Sequence, residues 1–327
     1  MDEDKTIRVG LVGTGYAASK RAEAFGADEQ WQLTLVTGNN TEQIKTFCQT
    51  YSTKAIPTWQ QLVNSEEIDL VTICTINRDH STIARAALEA GKHVVIEYPL
   101  ALEADEGQNL VNLAQNHGKL LHVEHIELLG GVHQTIRQHL PTIGKVFYAR
   151  YITITPKHPA PHRWTYNYDL YGFPLTAALS RIHRLTNLFG EVANVGCQTR
   201  FWDLPDSAYY TACLCNAQLR FNNGLIAEIV YGKGDKFWQG CRTFELHGEQ
   251  GSIIFEGQKG MLIKGTEKIP LEVSIRRGSF SQDTRMVLDY LLNNKPLYVE
   301  PEASVYALKV ANAACLSAQT GKPVDIL

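Results

Sequence analysis

The chain has 327 residues, of which 44% are hydrophobic and 20% are charged. This composition is globular, and the length favours two domains. The formal net charge of -3 argues against nucleic acid or an anionic membrane as partner, because it gives no strong electrostatic field. No apolar run reaches the ~18 residues needed to cross a bilayer, and the acidic segment Met1–Lys5 does not resemble a secretory signal. We therefore expect a cytoplasmic protein with a small-molecule substrate, and its seven scattered cysteines fit reduced thiols.

Residues 1–124 alternate short apolar runs with longer amphipathic segments, as do parallel strands joined by crossover helices. The predicted strands are Ile7–Val12, Gln32–Val36, Leu70–Thr75, His93–Ile96 and Leu120–Val123. The predicted helices are Ala17–Phe25, Thr41–Thr50, Ser81–Ala90 and Ala104–Asn116. We therefore predict an α/β protein whose N-terminal Rossmann domain has a mostly parallel sheet.

Residues 125–327 carry strands of alternating polarity, which predict a C-terminal α+β domain with a large, mostly antiparallel sheet. The predicted strands are Val146–Ile154, Ala212–Phe221, Leu225–Tyr231 and Thr243–His247. Asn222-Asn-Gly224 predicts a tight hairpin turn between two of them, because Asn and Gly tolerate positive φ. Helices are predicted at Leu175–Phe189 and Pro301–Thr320.

The glycine-rich turn after the first strand predicts a dinucleotide site, since it also opens a helix and starts several βα units. Gly13 would permit the tight turn, Gly15 a close approach of the pyrophosphate, and Ala18 close packing of helix on strand. The helix N-terminus would offer its N–H groups to the phosphates. The residues expected to contact the cofactor here are Gly13, Thr14, Gly15, Tyr16 and Ala17.

The second strand ends without the Asp or Glu that accepts the ribose hydroxyls in NAD enzymes. Thr37, Asn39, Asn40 and Thr41 stand there instead and could donate to a 2′-phosphate, with Lys20 or Arg21 as nearby cations. We therefore predict NADPH in preference to NADH. An ordinary polar loop that accepts either cofactor is the open alternative.

The chain resembles the Gfo/Idh/MocA oxidoreductases over nearly its full length, and three segments carry the resemblance. They are the glycine turn, Cys74-Thr-Ile-Asn-Arg-Asp-His80, and the segment 86–101, which contains Glu97-Tyr-Pro99. The resemblance implies that Thr75, Asn77 and His80 lie at the dinucleotide. It also implies that Glu97 lies near the nicotinamide ribose.

Two positions depart from the sugar dehydrogenases of this family. Tyr98 stands where the family has a catalytic lysine, and Arg181 stands at the place of a histidine base, with no preceding acid at the family spacing. A guanidinium with a pKa above ~12 cannot serve readily as a base, but it can hold an anion or supply a proton. We therefore expect a site that reduces its substrate.

The Glu-Tyr-Pro variant further resembles the cyanobacterial branch of the family that reduces linear tetrapyrroles. Val123–Gly131, Phe173–Arg181 and Arg276–Asp283 carry the same resemblance. It implies hydride transfer from NADPH to the central methine carbon of biliverdin IXα, giving bilirubin. Arg181 would then be the proton donor or relay, because hydride addition pushes negative charge onto the neighbouring pyrrole nitrogens.

Other candidate residues allow more than one interpretation. The cluster His122-Val-Glu-His-Ile-Glu127 has strand geometry rather than a helical zinc pattern, so we expect no metal there. We place His125 at the substrate, and a hydrogen-bonded histidine of the core is the open alternative. Tyr98 could donate a proton or pack on the nicotinamide. Aromatic and cationic residues that could contact a flat dicarboxylate are Trp164, Phe173, Trp202, Phe237, Trp238, Arg163, Arg184, Lys233, Lys236 and Arg242.

Two other functions stay open at this point. One is a reductase of another carbonyl or conjugated compound, against which Tyr98 and Arg181 argue. The other is a non-catalytic NADP(H) sensor, which would have kept the cofactor site but would need no pocket for a tetrapyrrole.

Overall fold

The computed structural model describes residues 6–273 and 278–326. They form two compact units. The first unit holds the described residues up to Ile126 together with Gly278–Val305, and the rest belongs to the second unit. Arg276 and Arg277, which contributed to the resemblance, lie outside the described residues.

The sequence predicted a single boundary after residue 124, whereas the chain returns to the first unit at Gly278. The reason is hydrophobic packing. Val287 and Leu288 are buried in one cluster with Phe25 and Trp31, so this late helix covers apolar surface of the Rossmann sheet.

The first unit contains a six-stranded, fully parallel sheet in the order β3-β2-β1-β4-β5-β6. Its strands are β1 (Ile7–Val12), β2 (Trp31–Thr37), β3 (Lys54–Ala55), β4 (Leu70–Ile73), β5 (His93–Ile96) and β6 (Leu121–Val123). Its helices are α1 (Tyr16–Gly26), α2 (Thr41–Tyr51), α3 (Trp59–Val63), α4 (His80–Glu89), α5 (Ala104–Asn116) and α10 (Ser279–Asn293). The predicted Rossmann fold is confirmed, and ligands bind such sheets where the strand order reverses, here between β1 and β4.

The second unit contains a nine-stranded sheet in the order β14-β13-β12-β11-β7-β10-β9-β8-β15. Its strands are β7 (Val146–Pro156), β8 (Val192–Asp203), β9 (Tyr210–Phe221), β10 (Ile226–Gly234), β11 (Cys241–Gly248), β12 (Gly251–Glu256), β13 (Lys259–Lys264), β14 (Glu267–Leu271) and β15 (Val324–Asp325). Its helices are α6 (Gly131–His139), α7 (Tyr168–Tyr171), α8 (Pro174–Ala177) and α9 (Ser180–Phe189), and α11 (Pro301–Thr320) runs from the first unit into the second. The mostly antiparallel sheet is confirmed, with one parallel pair between β7 and β10.

Two local predictions had different outcomes. The turn between β9 and β10 forms as predicted, with Gly224 at φ 90°. The predicted helix Leu175–Phe189 is instead broken at Ala178 into α8 and α9. The break places Arg181 in the first turn of α9. Within the described parts of the chain, no helix has the length and apolar character that crossing a membrane would require.

Candidate active site

The glycine turn of the first unit leaves room for a ligand beside its backbone. Gly13 has φ 119°, and a Cβ there would overlap the carbonyl oxygen of Cys74, so the fold itself requires this glycine. Gly15 is different, because it precedes α1 with φ -82° and a Cβ there would meet no protein atom within 4 Å. The fold gives no reason for glycine at this position, whereas a pyrophosphate at the helix N-terminus does. These residues therefore fit a dinucleotide.

The end of β2 presents neutral polar groups to the same edge of the sheet. Asn39 is exposed, and Asn40 is the N-cap of α2, where its Oδ1 accepts a hydrogen bond of 2.9 Å from the N–H of Gln43. Thr37 is 3% exposed. Residues 37–41 thus supply no carboxylate that would repel a phosphate.

Arg21 does not serve as the nearby cation considered from the sequence. Its side chain is 1% exposed and its Nε lies 3.1 Å from Glu97 Oε1, while Nη1 pairs with Asp283. Lys20 is more exposed and contacts Glu23 at 2.6 Å. Arg21 is therefore an internal support of the Glu97 loop, because α1 directs it inward.

The carboxylate of Asp283 joins this ionic cluster from α10. His122 Nε2 and the Tyr298 hydroxyl each lie 2.7 Å from its Oδ1. Burial would raise the pKa of Asp283, but Arg21 and His122 outweigh it and hold the pKa well below its usual range. Burial also raises the pKa of Glu97, although Arg21 opposes that shift. His122 is therefore bound in an ionic network.

His80, predicted at the dinucleotide, is bound to the backbone instead. It is 1% exposed, with Nδ1 2.8 Å from the carbonyl oxygen of Pro99 and Nε2 3.3 Å from that of Thr75. Burial lowers its pKa, and the contacts with the two carbonyl oxygens oppose that shift. His80 thus links the start of α4 to the Glu97-Tyr-Pro99 loop. Asn77, also predicted at the dinucleotide, is 5% exposed in the short 3₁₀ helix before α4.

Tyr98 and His125 are brought together, but not as the sequence suggested. Their rings are stacked, with centroids 5.5 Å apart and planes 3° apart. His125 is 1% exposed and its Nε2 lies 3.0 Å from Ser304 Oγ, whereas Tyr98 is only half-buried. The prediction that His125 faces the substrate therefore differs from the structure, in which His125 backs the ring of Tyr98. Tyr98 and Pro99 are joined by a cis peptide bond.

Arg181 of the second unit lies on a wall built from α9 and two strands. Its Nε donates to Thr153 Oγ1 at 3.2 Å, Nη1 lies 3.0 Å from Ser180 Oγ, and the guanidinium carbon is 5.4 Å from the centre of the Tyr231 ring. The positive end of α9 disfavours a cation here by ~0.3–1 kcal/mol. Because the fold keeps the Arg181 cation at this position despite the unfavourable helix dipole, we infer a chemical use for its charge.

Arg181 also lines a pocket of about 690 Å³ within the second unit. The exposed Arg242 and the β11 residues Cys241 and Thr243 line it as well. The volume lies in the range of small-molecule sites. The carboxylate of Glu256 also lines it, so two cations against one carboxylate leave the lining net positive, which suits an anionic ligand.

Two other cations considered from the sequence are buried and do not reach such a ligand. Arg184 is 4% exposed, donates to the Tyr151 hydroxyl at 3.0 Å and stacks on Phe244. Lys233 is 7% exposed and surrounded by tyrosine rings. Sequence reasoning gave no role to Thr153 and used Asp283 only as the end of a segment that carried the resemblance. The apolar pair Val287 and Leu288, one helical turn after Asp283, is the signal from which α10 could have been predicted.

A dinucleotide turn, a parallel sheet with a strand-order reversal and a separate polar pocket define an oxidoreductase of the two-domain nicotinamide-dependent class. Residues 7–125 match the model of the GFO_IDH_MocA oxidoreductase family, NAD-binding Rossmann fold, and residues 137–326 match the C-terminal alpha/beta domain of that family. The chain belongs to the Gfo/Idh/MocA oxidoreductase family.

Several known proteins are similar to this chain in sequence or structure. A biliverdin reductase from Synechocystis sp. PCC 6803, solved in complex with biliverdin and NADP+, is 56% identical with a TM-score of 0.94, covering 96% of this chain and 99% of that one. Biliverdin reductase A from Mus musculus is 34% identical over 256 residues, which are 77% of each protein. The protein yvaA from Bacillus subtilis has a TM-score of 0.85 at 19% identity over the whole of both chains, which shows the shared fold.

Proposed function

We propose that this chain is an NADPH-dependent reductase that converts biliverdin IXα to bilirubin. The observation that carries the proposal is the 56% identity, over nearly the full length of both chains, to an enzyme solved with biliverdin and NADP+. The departures at Tyr98 and Arg181 support it, because the lysine and histidine that serve the family's sugar dehydrogenases are replaced here. The pocket beside Arg181 supports it as well.

The first unit would hold the cofactor along the β1–β4 edge. Gly13, Thr14, Gly15, Tyr16 and Ala17 would surround the pyrophosphate, and Asn39 and Asn40 the 2′-phosphate. Thr75, Asn77 and Glu97 would line the nicotinamide half, with His80 holding the Thr75 and Pro99 carbonyls from behind. NADPH, when bound, supplies the hydride that reduces the central methine carbon.

Arg181 would supply the proton, or relay one to a pyrrole nitrogen. Hydride addition at the methine carbon makes the adjacent nitrogens more basic, so a donor held close lowers the barrier. Arg181 is held by Thr153 and Ser180 and lies on a pocket wall, as such a donor must. Arg242, exposed in the same pocket, would pair with a propionate.

The test is to mix purified protein with biliverdin and NADPH and record absorbance of both reagents. We expect the green bilin to turn yellow as NADPH is consumed in equal amount. No colour change between about pH 5 and 9 would overturn the proposal and favour the sensor alternative. Consumption of NADPH with a sugar-derived ketone but not with biliverdin would favour the other reductase.

The role of Arg181 is tested separately with Arg181→Ala. We expect turnover to fall by roughly 10² or more, the range of general acid catalysis, with NADPH affinity unchanged. Full turnover in this variant would remove Arg181 from the mechanism while leaving the overall reaction in place.

A cytoplasmic location is part of the proposal. Its support is that all seven cysteines are thiols in the structure, as expected in a reducing compartment. Fractionation of the source cells, followed by immunodetection, tests it, and recovery in an extracytoplasmic fraction would contradict it.

A further inference from the structure

Lys233 is a buried lysine that the proposed reaction does not use. It lies on β10 and is 7% exposed, and its Nζ sits 3.6 Å from the centre of the Tyr171 ring. Three more tyrosine rings face it, at 4.8, 5.5 and 5.9 Å, and with Tyr171 they form what we call the tyrosine cage: Tyr166, Tyr171, Tyr210 and Tyr231. Burying an ammonium is costly unless its surroundings compensate, so this arrangement calls for an explanation.

The cage compensates the charge of Lys233 with dipoles and ring faces. Nζ donates to the carbonyl oxygen of Thr165 at 2.5 Å, and the hydroxyl of Tyr210 donates to the same oxygen at 3.2 Å. Cations are attracted to the negative face of an aromatic ring, most strongly where water is excluded. The ammonium therefore holds several of the tyrosines in fixed orientations.

The cage connects Lys233 to Arg181 through Tyr231. The hydroxyls of Tyr171 and Tyr231 are hydrogen-bonded at 3.0 Å, and the guanidinium of Arg181 lies over the Tyr231 ring. Tyr231 also pairs in register with Thr153, the residue that accepts from Arg181 Nε. Tyr231 thus contacts the proposed proton donor with its ring face and Tyr171 with its hydroxyl.

We propose that Lys233 is a positioning residue for Arg181: its ammonium fixes the tyrosine cage on which the guanidinium rests and adds positive charge behind the donor. This inference rests on the proposed function of Arg181. A second positive charge makes loss of a proton from the donor easier, and it stabilises negative charge that develops on the substrate. Replacing the ammonium with an apolar group of similar size removes both effects but preserves the packing.

The charge of Lys233 also makes the site sensitive to pH. Burial lowers the pKa of this amine to about 7. The groups that face it are Arg163, Cys213, Arg181 and the four cage tyrosines. The two arginines oppose the charged amine. Cys213 would favour it only as a thiolate, and burial raises the pKa of that thiol to about 11. As the pH rises through about 7 the ammonium loses its proton, so turnover should fall on the alkaline side.

The experiment compares wild type with Lys233→Met over about pH 5.5 to 9. It measures kcat and KM for biliverdin with saturating NADPH, and KM for NADPH with saturating biliverdin. We expect kcat to fall about tenfold in Lys233→Met at pH 6, as a nearby lost charge predicts, and the alkaline limb near pH 7 to disappear. KM for NADPH and the thermal midpoint should stay close to wild type. Lys259→Met, an exposed lysine on β13, is the matched control and should show the wild-type profile.

A merely structural lysine would give a different result. Wild-type kcat together with an unchanged pH profile in a folded Lys233→Met protein would overturn the inference. If that variant does not fold, Tyr231→Phe carries the test, because it removes only the hydroxyl link. It should lower kcat severalfold, and wild-type kcat there would equally overturn the inference.

The two proposals fail separately. If Arg181→Ala loses turnover while Lys233→Met does not, the mechanism stands and the role of Lys233 falls. If Arg181→Ala keeps full turnover, the assignment of Arg181 falls, and the inference for Lys233 falls with it. If neither variant reduces biliverdin and the wild type does not either, the proposed substrate is wrong.

Discussion

Arg21 and Asp283 form an ion pair across 262 positions of sequence, and both side chains are at most 1% exposed. The pair joins α1, which follows the glycine turn, to α10, where the chain has returned to the first unit. Arg21 also contacts Glu97, so the cofactor turn and the Glu97-Tyr-Pro99 loop depend on one buried network. Its integrity should be visible in stability.

Replacing one partner of this network should be costly. Asp283→Asn leaves Arg21 buried without its carboxylate, and we expect the free energy of unfolding to fall by about 3–5 kcal/mol. Urea unfolding followed by tryptophan fluorescence measures the change. Asp289→Asn on the same helix, where the partner Arg285 is 51% exposed, is the control and should cost at most about 1 kcal/mol. Equal midpoints for the two variants would contradict the prediction.

The same carboxylate should make stability depend on acid. The pKa of Asp283 is lowered in the folded protein from its ordinary value of 3.8. Its contribution is therefore fully present above about pH 4 and is lost as the pH falls from there toward the folded pKa. Unfolding midpoints measured from pH 6 down to 3 should fall more steeply for wild type than for Asp283→Asn. Parallel curves would show that Asp283 does not titrate in this way.

The two glycines of the turn should respond differently to alanine. Gly15→Ala places a methyl group where no protein atom lies, so the thermal midpoint should hold while NADPH binding weakens by tenfold or more. Gly13→Ala forces a side chain into positive φ against the Cys74 carbonyl and should lower the midpoint. Calorimetry and fluorescence titration with NADPH separate the two. Unchanged NADPH affinity in Gly15→Ala would place the pyrophosphate elsewhere.

The absent acid after β2 should determine which cofactor is preferred. Asn39→Asp adds a negative charge at the expected 2′-phosphate position, so KM for NADPH should rise about tenfold while KM for NADH stays level or falls. Steady-state kinetics with both nicotinamides measure this. Asp introduced at the exposed Gln60, on α3, is a charge control and should change neither constant. A wild-type preference for NADH would contradict the assignment of NADPH.

The stacking of Tyr98 on His125 favours a packing role for the tyrosine. Tyr98→Phe keeps the ring and its stacking, so kcat should change less than about threefold. Tyr98→Ala removes the stacked face and should lower kcat by tenfold or more. A loss in Tyr98→Phe as large as in Tyr98→Ala would instead show that the hydroxyl donates a proton.

Local patterns in the sequence were sufficient for the first unit's sheet and for the glycine turn. The alternation of apolar runs with amphipathic segments predicted five of its strands. A buried parallel strand is a short continuous apolar run, whereas an amphipathic helix repeats its apolar residues every three to four positions, and a few residues suffice to tell the two patterns apart. The two-residue strand β3 and the short helix α3 were missed, since segments of that length carry no period to detect. The break before α9 was missed for a related reason: its residues continue the helical pattern, and only the backbone shows the turn at Ala178.

For the site, the sequence determined residue identity and the tertiary structure determined orientation. Gly15 and the missing acid after β2 are readable from motif spacing, whereas Tyr98 and Arg181 were identified by comparison with the pattern of the Gfo/Idh/MocA family. Whether a side chain faces a ligand or the interior depends on partners far away in sequence. His125 contacts Ser304 at hydrogen-bond distance, and Arg21 forms an ion pair with Asp283. Lys233 packs among tyrosine rings that come from three separate segments. Burial and pairing of charge are properties of the folded chain, and the structure alone decides them.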